Sequence, residues 1–212
     1  MSRAWAAPLA GSLLGLSALL PAAPASAAPP GSASTPASLP QLMQLLGRRR
    51  AARAQFEETQ YVAILTRPLH SAGTLSYRAP DHLEERIERP HRQLLLLDHE
   101  LLSVQLGHHR RSVPLQQYPQ LAPLLQSLLA TLSGDATALQ RSFSVQLRGP
   151  LSHWQLVLTP RDDAPGPQSD SGGGAQFALR RITLQGMDAQ IEQLTVEQRD
   201  GDRSVMRLRP LP

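Results

Sequence analysis

The sequence contains no cysteine and no lysine, and aromatic residues make up only 4% of its 212 positions. The absence of cysteine excludes a fold built on disulfides and a metal site built on thiolates, so burial of apolar side chains must supply the stability. The scarcity of aromatics indicates that this core is aliphatic. Apolar residues make up 41% of the chain, which excludes a fully disordered protein and suits one domain or at most two small ones.

Because lysine is absent, all 21 formal positive side-chain charges are arginine guanidinium groups. They stand against 17 acidic residues and leave a formal net charge of only +4. The arginines are interleaved with the acids, and the aromatics do not alternate with arginine as in proteins that stack single-stranded nucleic acid. We therefore expect no nucleic-acid partner.

Residues 1–27 have the organisation of a secretory signal peptide. Arg3 precedes an apolar stretch, and residues 25–27 offer a cleavage site of small residues. A transmembrane anchor is the alternative, but proline and glycine leave this stretch short of the ~20 continuous apolar residues that a span needs. We expect an exported, periplasmic protein without a lipid anchor of its own, with a flexible leader at 28–38 and a single domain over 39–212.

The hydrophobic period changes from helix to strand early in the mature chain. Apolar side chains at helical spacing behind Ser38, a candidate N-cap, predict a first helix from Leu39 to about Gln55. From Phe56 onward the period is two, and short strands bounded by turn residues follow at close spacing. No helical crossover separates these strands, so they indicate an antiparallel meander.

One segment interrupts the strands with leucines at positions i, i+3, i+4, i+7, i+8 and i+11, which is typical of an amphipathic helix. Pro123 fits its first turn, Gly134 can end it, and Asp135 can cap a second short helix. The apolar face consists of Leu121, Leu124, Leu125, Leu128, Leu129 and Leu132.

These patterns predict an α+β fold in which helices cover the apolar face of an antiparallel sheet. Two arrangements are open at this point. The helices can seal the sheet into a packed core without a cavity, or a curved sheet can leave an apolar cleft for an acyl chain beneath them.

No residue pattern supports catalysis. The mature chain has no G-x-S-x-G turn and no cysteine nucleophile. Glu84, Glu85 and Glu88 lie on a strand rich in arginine, and we interpret them as exposed strand charges rather than as a buried general acid. Residues 161–174 read as a polar surface loop that lacks the lysine of a phosphate-binding loop. We therefore expect a protein that is not an enzyme.

The histidines also give no pattern of metal ligands. No two lie four residues apart on a helix, and the one adjacent pair alternates across a strand end, so its members cannot easily share an ion. We interpret them as surface and turn residues and expect no metal and no cofactor. They are His70, His82, His91, His99, His108, His109 and His153.

A more specific pattern is G-x-L-x-(aromatic)-x-x-P-x-x-(apolar), formed by Gly73, Leu75, Tyr77, Pro80 and Leu83. It follows a signal peptide, a helix and a first strand, and it precedes mid-chain helices and returning strands. With this order and spacing, nearly the whole mature chain resembles the periplasmic outer-membrane lipoprotein carrier (LolA-like) family.

The resemblance implies a half-open barrel of antiparallel strands with helices over its concave apolar face. It implies a monomeric periplasmic carrier that binds the acyl chains of a lipoprotein or lipid cargo in an apolar cleft. The implied partners are an inner-membrane export complex and an outer-membrane acceptor. A periplasmic lipoprotein-sensing or regulatory protein with the same fold is the alternative.

Strand alternation on this fold predicts which side chains bind lipid. From the sheet they are Leu75, Tyr77, Leu102, Val104, Phe143, Val145, Leu147, Trp154, Leu156 and Leu158. From the helical lid they are Leu121, Leu124, Leu125, Leu128 and Leu129.

The sequence departs from the family pattern at three places. The arginine that in the family precedes the turn proline and hydrogen-bonds to the lid is here Ala79, and Arg78 points to the opposite face. The family's Asp-Gly hairpin is Asp98-His99, so a turn that needs positive φ must be made differently. The chain also ends at Pro212 without a longer C-terminal extension. These differences predict a divergent carrier, with an altered lid latch and a different lipid or glycolipid export system.

Overall fold

The computed structural model describes residues 36–118, 121–161 and 179–212. Within these ranges the helices are α1 (Leu39–Gly47), α2 (Ala122–Ser133) and α3 (Ala136–Ser142), with short 3-10 turns at Leu115–Gln117 and Leu151–His153. The strands are β1 (Ala51–Tyr61), β2 (Leu69–Arg78), β3 (His82–Arg89), β4 (Gln93–Asp98), β5 (Leu101–Leu106), β6 (His109–Pro114), β7 (Phe143–Arg148), β8 (Trp154–Pro160), β9 (Leu179–Met187), β10 (Gln190–Gln198) and β11 (Arg203–Pro210).

Three of the predicted segments fall wholly or mostly outside this description. The predicted signal peptide at 1–27, the predicted leader at 28–38 apart from 36–38, and the predicted loop at 161–174 apart from Arg161 lie beyond the described residues. In the part of the chain that is described, no helix is long and apolar enough to cross a membrane.

The described strands form one antiparallel sheet in the order β6-β5-β4-β3-β2-β1-β11-β10-β9-β8-β7. The first and last strands are neighbours at its centre, where Phe56 lies opposite Leu208 and Glu58 opposite Met206. The sheet is curved and does not close into a barrel. Together with the helices, it confirms the predicted α+β fold.

The first helix ends earlier than the sequence predicts. α1 stops at Gly47, and β1 begins at Ala51, within the segment that was predicted as helix to Gln55. The alanines of this segment favour a helix, but such intrinsic preferences are worth less than about 1 kcal/mol per residue, whereas β1 forms ladders with β2 on one side and β11 on the other. The helix prediction beyond residue 47 is wrong because this pairing outweighs local preference.

The predicted caps of α1 and α3 are both present. The Ser38 hydroxyl accepts a hydrogen bond from the backbone N–H of Gln41 at 3.4 Å, and the Gln41 side chain accepts one from the Ser38 N–H at 2.9 Å. Asp135 accepts one from the Ala138 N–H at 2.8 Å. These bonds satisfy N–H groups that a helix start leaves unpaired, and so fix where α1 and α3 begin.

The helices cover one face of the sheet, here called the inner face, in two parts. One cluster joins α1 and α3 to β7–β11, with Leu42, Leu139 and Trp154 among its buried members. The second joins α2 to β2–β5 and includes Tyr77 and Leu102. The two clusters meet beneath α2, where packing of the inner face is incomplete.

Gly134→Ala is expected to destabilise the protein more than Gly107→Ala. Both glycines have positive φ, +76° and +58°, at which alanine is strained by about 1 kcal/mol. A Cβ at 134 would also lie 2.3 Å from the Met43 carbonyl oxygen, whereas one at 107 meets nothing within 4 Å. Urea unfolding should show an extra loss of at least about 1 kcal/mol for Gly134→Ala. Equal losses would contradict this close contact between α1 and the end of α2.

Candidate functional site

A cleft of about 690 Å³ lies between α2 and the inner face of the sheet. This volume falls in the range of about 300–1,000 Å³ that is usual for ligand pockets. Its walls are mainly apolar and come from α2, β1–β4, β10 and β11. The apolar lining residues are Pro68, Leu69, Leu75, Leu83, Ile87, Pro90, Leu95, Leu121, Leu124, Leu125, Leu128, Leu194, Val196 and Met206.

The α2 wall of the cleft is formed by the predicted leucine stripe. Leu124, Leu125 and Leu128 share one side of α2 because residues three and four apart on a helix are neighbours. Leu125 is only 6% exposed and packs into the cluster beneath α2, while Leu124 and Leu128 are half-buried. Leu129 belongs to the same cluster but does not line the cleft.

A smaller cavity of about 70 Å³ adjoins the cleft towards α1. Its lining is also mainly apolar and includes Tyr77, and Arg49 at its edge donates a hydrogen bond to the Ala189 carbonyl at 3.0 Å. Four side chains line both spaces: Leu75, Leu83, Leu128 and Leu194. Displacement of α2 with Leu128 would therefore join the two spaces.

The cleft has a polar end on β1 and its two neighbouring strands. Glu58 is 9% exposed, and its Oε2 accepts hydrogen bonds from the Ser71 hydroxyl at 2.9 Å and the Gln60 amide at 3.0 Å. The Ser204 hydroxyl donates to Oε1 of Glu58. These donors offset the loss of hydration that a buried carboxyl group suffers.

A second carboxyl group, that of Glu85, faces the cleft from β3. Burial, together with the charge of Glu58, raises the pKa of Glu85 from 4.5 to about 7. The interpretation of Glu85 as an exposed strand charge is therefore wrong. Glu84, its neighbour on the strand, is partly exposed and forms an ion pair with Arg86 at 2.8 Å.

The structure places all of the sheet residues predicted to bind lipid on the inner face. Leu75 lines the cleft, Tyr77 lines the smaller cavity, and Leu102 and Val104 pack beneath α2. The others belong to the cluster under α1 and α3 and do not line the cleft: Phe143, Val145, Leu147, Trp154, Leu156 and Leu158. Contact of these residues with lipid stays a prediction.

Sequence reasoning missed apolar cleft residues on five strands. The signal was present, because each alternates with polar or outward-facing neighbours on its strand. Which strands lie below α2 depends on the order of the sheet, which returns β11 to the side of β1. The missed strand residues are Leu69, Leu83, Ile87, Leu95, Leu194, Val196 and Met206.

Two of the departures from the family pattern are visible in the structure. Arg78 is exposed, and its guanidinium lies 3.0 Å from Nε2 of His82, so it does not replace the missing arginine at Ala79. The expectation that the β4–β5 turn is made with a different backbone conformation is wrong. His99 itself takes a φ of 56°, the conformation that glycine would otherwise supply.

The arrangement offers an apolar volume with hydrogen-bonding groups at one end. Across 36–118, 121–161 and 179–212, no three His, Asp or Glu side chains are placed to hold a metal ion. A space with this lining can accommodate an apolar chain against the leucines and a polar group near the carboxyl groups.

Comparison with known proteins gives a family match over most of the chain. The sequence profile described as "Outer membrane lipoprotein carrier protein LolA-like" matches residues 31–206. Similar solved structures include a LolA superfamily protein from Nitrosomonas europaea, at 10% identity and a TM-score of 0.43, covering 82% of this chain and 93% of that one. A DUF1329 family protein from Desulfovibrio piger has 11% identity and a TM-score of 0.46, covering 81% and 88%. LprF from Mycobacterium bovis has 12% identity and a TM-score of 0.29, covering 81% and 91%.

A curated mouse protein, "Transcription factor HIVEP3", is 32% identical over 155 residues. The match takes in 71% of this chain but spans about 6% of that protein's length, so it says nothing about function. The similar solved structures share only 10–12% identity with this chain and have TM-scores below 0.5, so they add nothing to the functional argument either. The profile match covers far more than half of the sequence, and the chain therefore belongs to the outer membrane lipoprotein carrier protein LolA-like family.

Proposed function

We propose that this protein is a periplasmic carrier that holds the acyl chain of a lipoprotein or lipid in the cleft and moves it from the inner to the outer membrane. The observation that carries this proposal is the cleft of about 690 Å³ along the leucine wall of α2. The family match supports it, since the family is described by lipoprotein carriage.

The energetics of the cleft suit a carrier that must release its cargo. Each methylene that moves from water into the cleft contributes about 0.8 kcal/mol. Leu124 and Leu128 of α2 gain free energy of the same kind from the sheet when no chain is bound. The acyl chain and α2 therefore compete for the same apolar surface, which keeps the bound and empty states close in free energy.

The proposed transport needs no covalent step by the protein. An inner-membrane export complex would load the acyl chain, and an outer-membrane acceptor would remove it. Both exchanges require that the α2 wall move away from the sheet, because Leu124, Leu125 and Leu128 stand between the cleft and solvent on that side.

Co-purifying lipid tests the proposal. We expect an organic extract of the protein, purified from the periplasm, to contain acyl-bearing species that mass spectrometry identifies. After delipidation, the protein should take up a fluorescent fatty-acyl probe. An extract without lipid, from a protein that also fails to take up the probe, would contradict the carrier function.

A further inference from the structure

The inner face carries a carboxyl group in the middle of its apolar surface. Glu85 lies between Leu83 and Ile87 along β3, and the sheet register places it opposite Leu75 on β2 and Leu95 on β4. All four neighbours are aliphatic and line the cleft. A bound acyl chain that contacts these leucines would therefore bring its polar group or its first methylenes close to Glu85.

The protein itself supplies little to hold a charge on Glu85. The hydroxyl groups of Ser71 and Ser204, which line the same cleft, each have one hydrogen, and both donate to Glu58. Among the described residues, none donates a hydrogen bond to the Glu85 carboxyl group. Glu58 instead adds a repulsive charge, which together with burial raises the pKa of Glu85 to about 7.

A ligand can supply what the protein lacks. An ammonium, amide or hydroxyl group would donate to the free carboxylate, and such charge-assisted hydrogen bonds are stronger than neutral ones. A carboxylate or phosphate would instead meet the like charges of Glu85 and Glu58, which disfavour its binding.

We propose that the cleft selects amphiphiles whose polar group donates hydrogen bonds over amphiphiles with an anionic group, and that Glu85 makes this selection. The inference rests on the proposed acyl-binding function and adds the class of head group to it. Glu85 is then a specificity-determining residue on the β3 wall of the cleft, while the leucines of α2 bind the chain.

The formal net charge of the protein makes this selection easy to recognise. At +4, the whole molecule attracts anionic amphiphiles and repels cationic ones. A preference for a cationic amphiphile therefore runs against the overall charge and must come from groups at the site.

The proposal is tested at about pH 8, where the Glu85 carboxyl group is mostly ionised. The experiment measures how well dodecylamine, dodecanol and dodecanoate each displace the hydrocarbon dye diphenylhexatriene from the protein. We expect dodecylamine to bind best, dodecanol next, and dodecanoate at least about tenfold more weakly than dodecylamine. Glu85→Gln should reduce this ratio to less than about threefold. Glu88→Gln, which removes the same charge from an exposed position on β3, should leave the ratio unchanged.

The possible outcomes separate this inference from the proposed function. Equal displacement by the three compounds, or an equal response of the ratio to Glu85→Gln and Glu88→Gln, would overturn head-group selection while leaving acyl binding intact. Failure of the protein to bind the dye and all three amphiphiles would overturn both.

Discussion

Replacing Leu128 with glutamate should lower the affinity for a fluorescent fatty-acyl probe by at least about tenfold. Leu128 lines both the cleft and the smaller cavity, so an acyl chain in either space contacts it. Burial of a carboxylate against that chain without a partner costs several kcal/mol, of which about 1.4 kcal/mol already corresponds to a tenfold change. Titration of the probe by fluorescence measures the loss.

The matched control is Gln126→Glu, which places the same charge on the exposed side of α2. We expect its probe affinity to stay within about twofold of the unsubstituted protein. Far-UV circular dichroism must show the strand signal unchanged in both variants. Unchanged affinity in folded Leu128→Glu would mean that the acyl chain does not lie beneath α2.

Glu85→Gln should make the protein more stable than the unsubstituted chain above pH 7. This gain in stability should become smaller as the pH falls. The folded-state pKa of Glu85, about 7, exceeds its ordinary value of 4.5. Between these values the folded state holds a proton that the unfolded state releases, so stability falls as the pH rises from about 4.5 to 7. The loss is at most about 3–4 kcal/mol, since each pKa unit corresponds to about 1.4 kcal/mol. Glutamine does not titrate and removes this loss.

Urea unfolding at several pH values measures this effect as the difference between Glu85→Gln and the unsubstituted protein. His70 and His91 also line the cleft, but they remain in both proteins and largely cancel in the difference. Glu88→Gln, at an exposed site, should show no such trend. A difference that does not change between pH 4.5 and 8 would contradict burial of Glu85 in the cleft.

Local sequence patterns predicted the elements of the fold well where several signals agreed. The leucine stripe, Pro123 and Gly134 gave α2 nearly to the residue, because period, first-turn proline and terminal glycine agree. The end of α1 was misplaced because alanine-rich residues 51–55 favour a helix locally, and only pairing with β2 and β11 makes them a strand.

The candidate site was only partly predictable, for two physical reasons. Alternation assigned the inner face correctly, but the position of α2 over that face depends on tertiary packing. Trp154 and Leu156 therefore lie in the core, whereas Leu83 and Met206 line the cleft. Glu85 was misread because its charge, taken alone, indicates exposure. Its place between Leu83 and Ile87, two residues away on either side, was the better guide.

Photolabelling with a diazirine-bearing fatty-acyl probe tests most directly whether an acyl chain lies between α2 and the sheet. Because the chain lacks lysine, trypsin cleaves it only after arginine, and α2 falls in one peptide of residues 112–141. Fragment spectra then assign each adduct within α2. We predict adducts on Leu124, Leu125 or Leu128, and their loss when excess unlabelled fatty acyl chain competes. Adducts on Gln126 and the outer face of the sheet that the competitor does not remove would contradict the account.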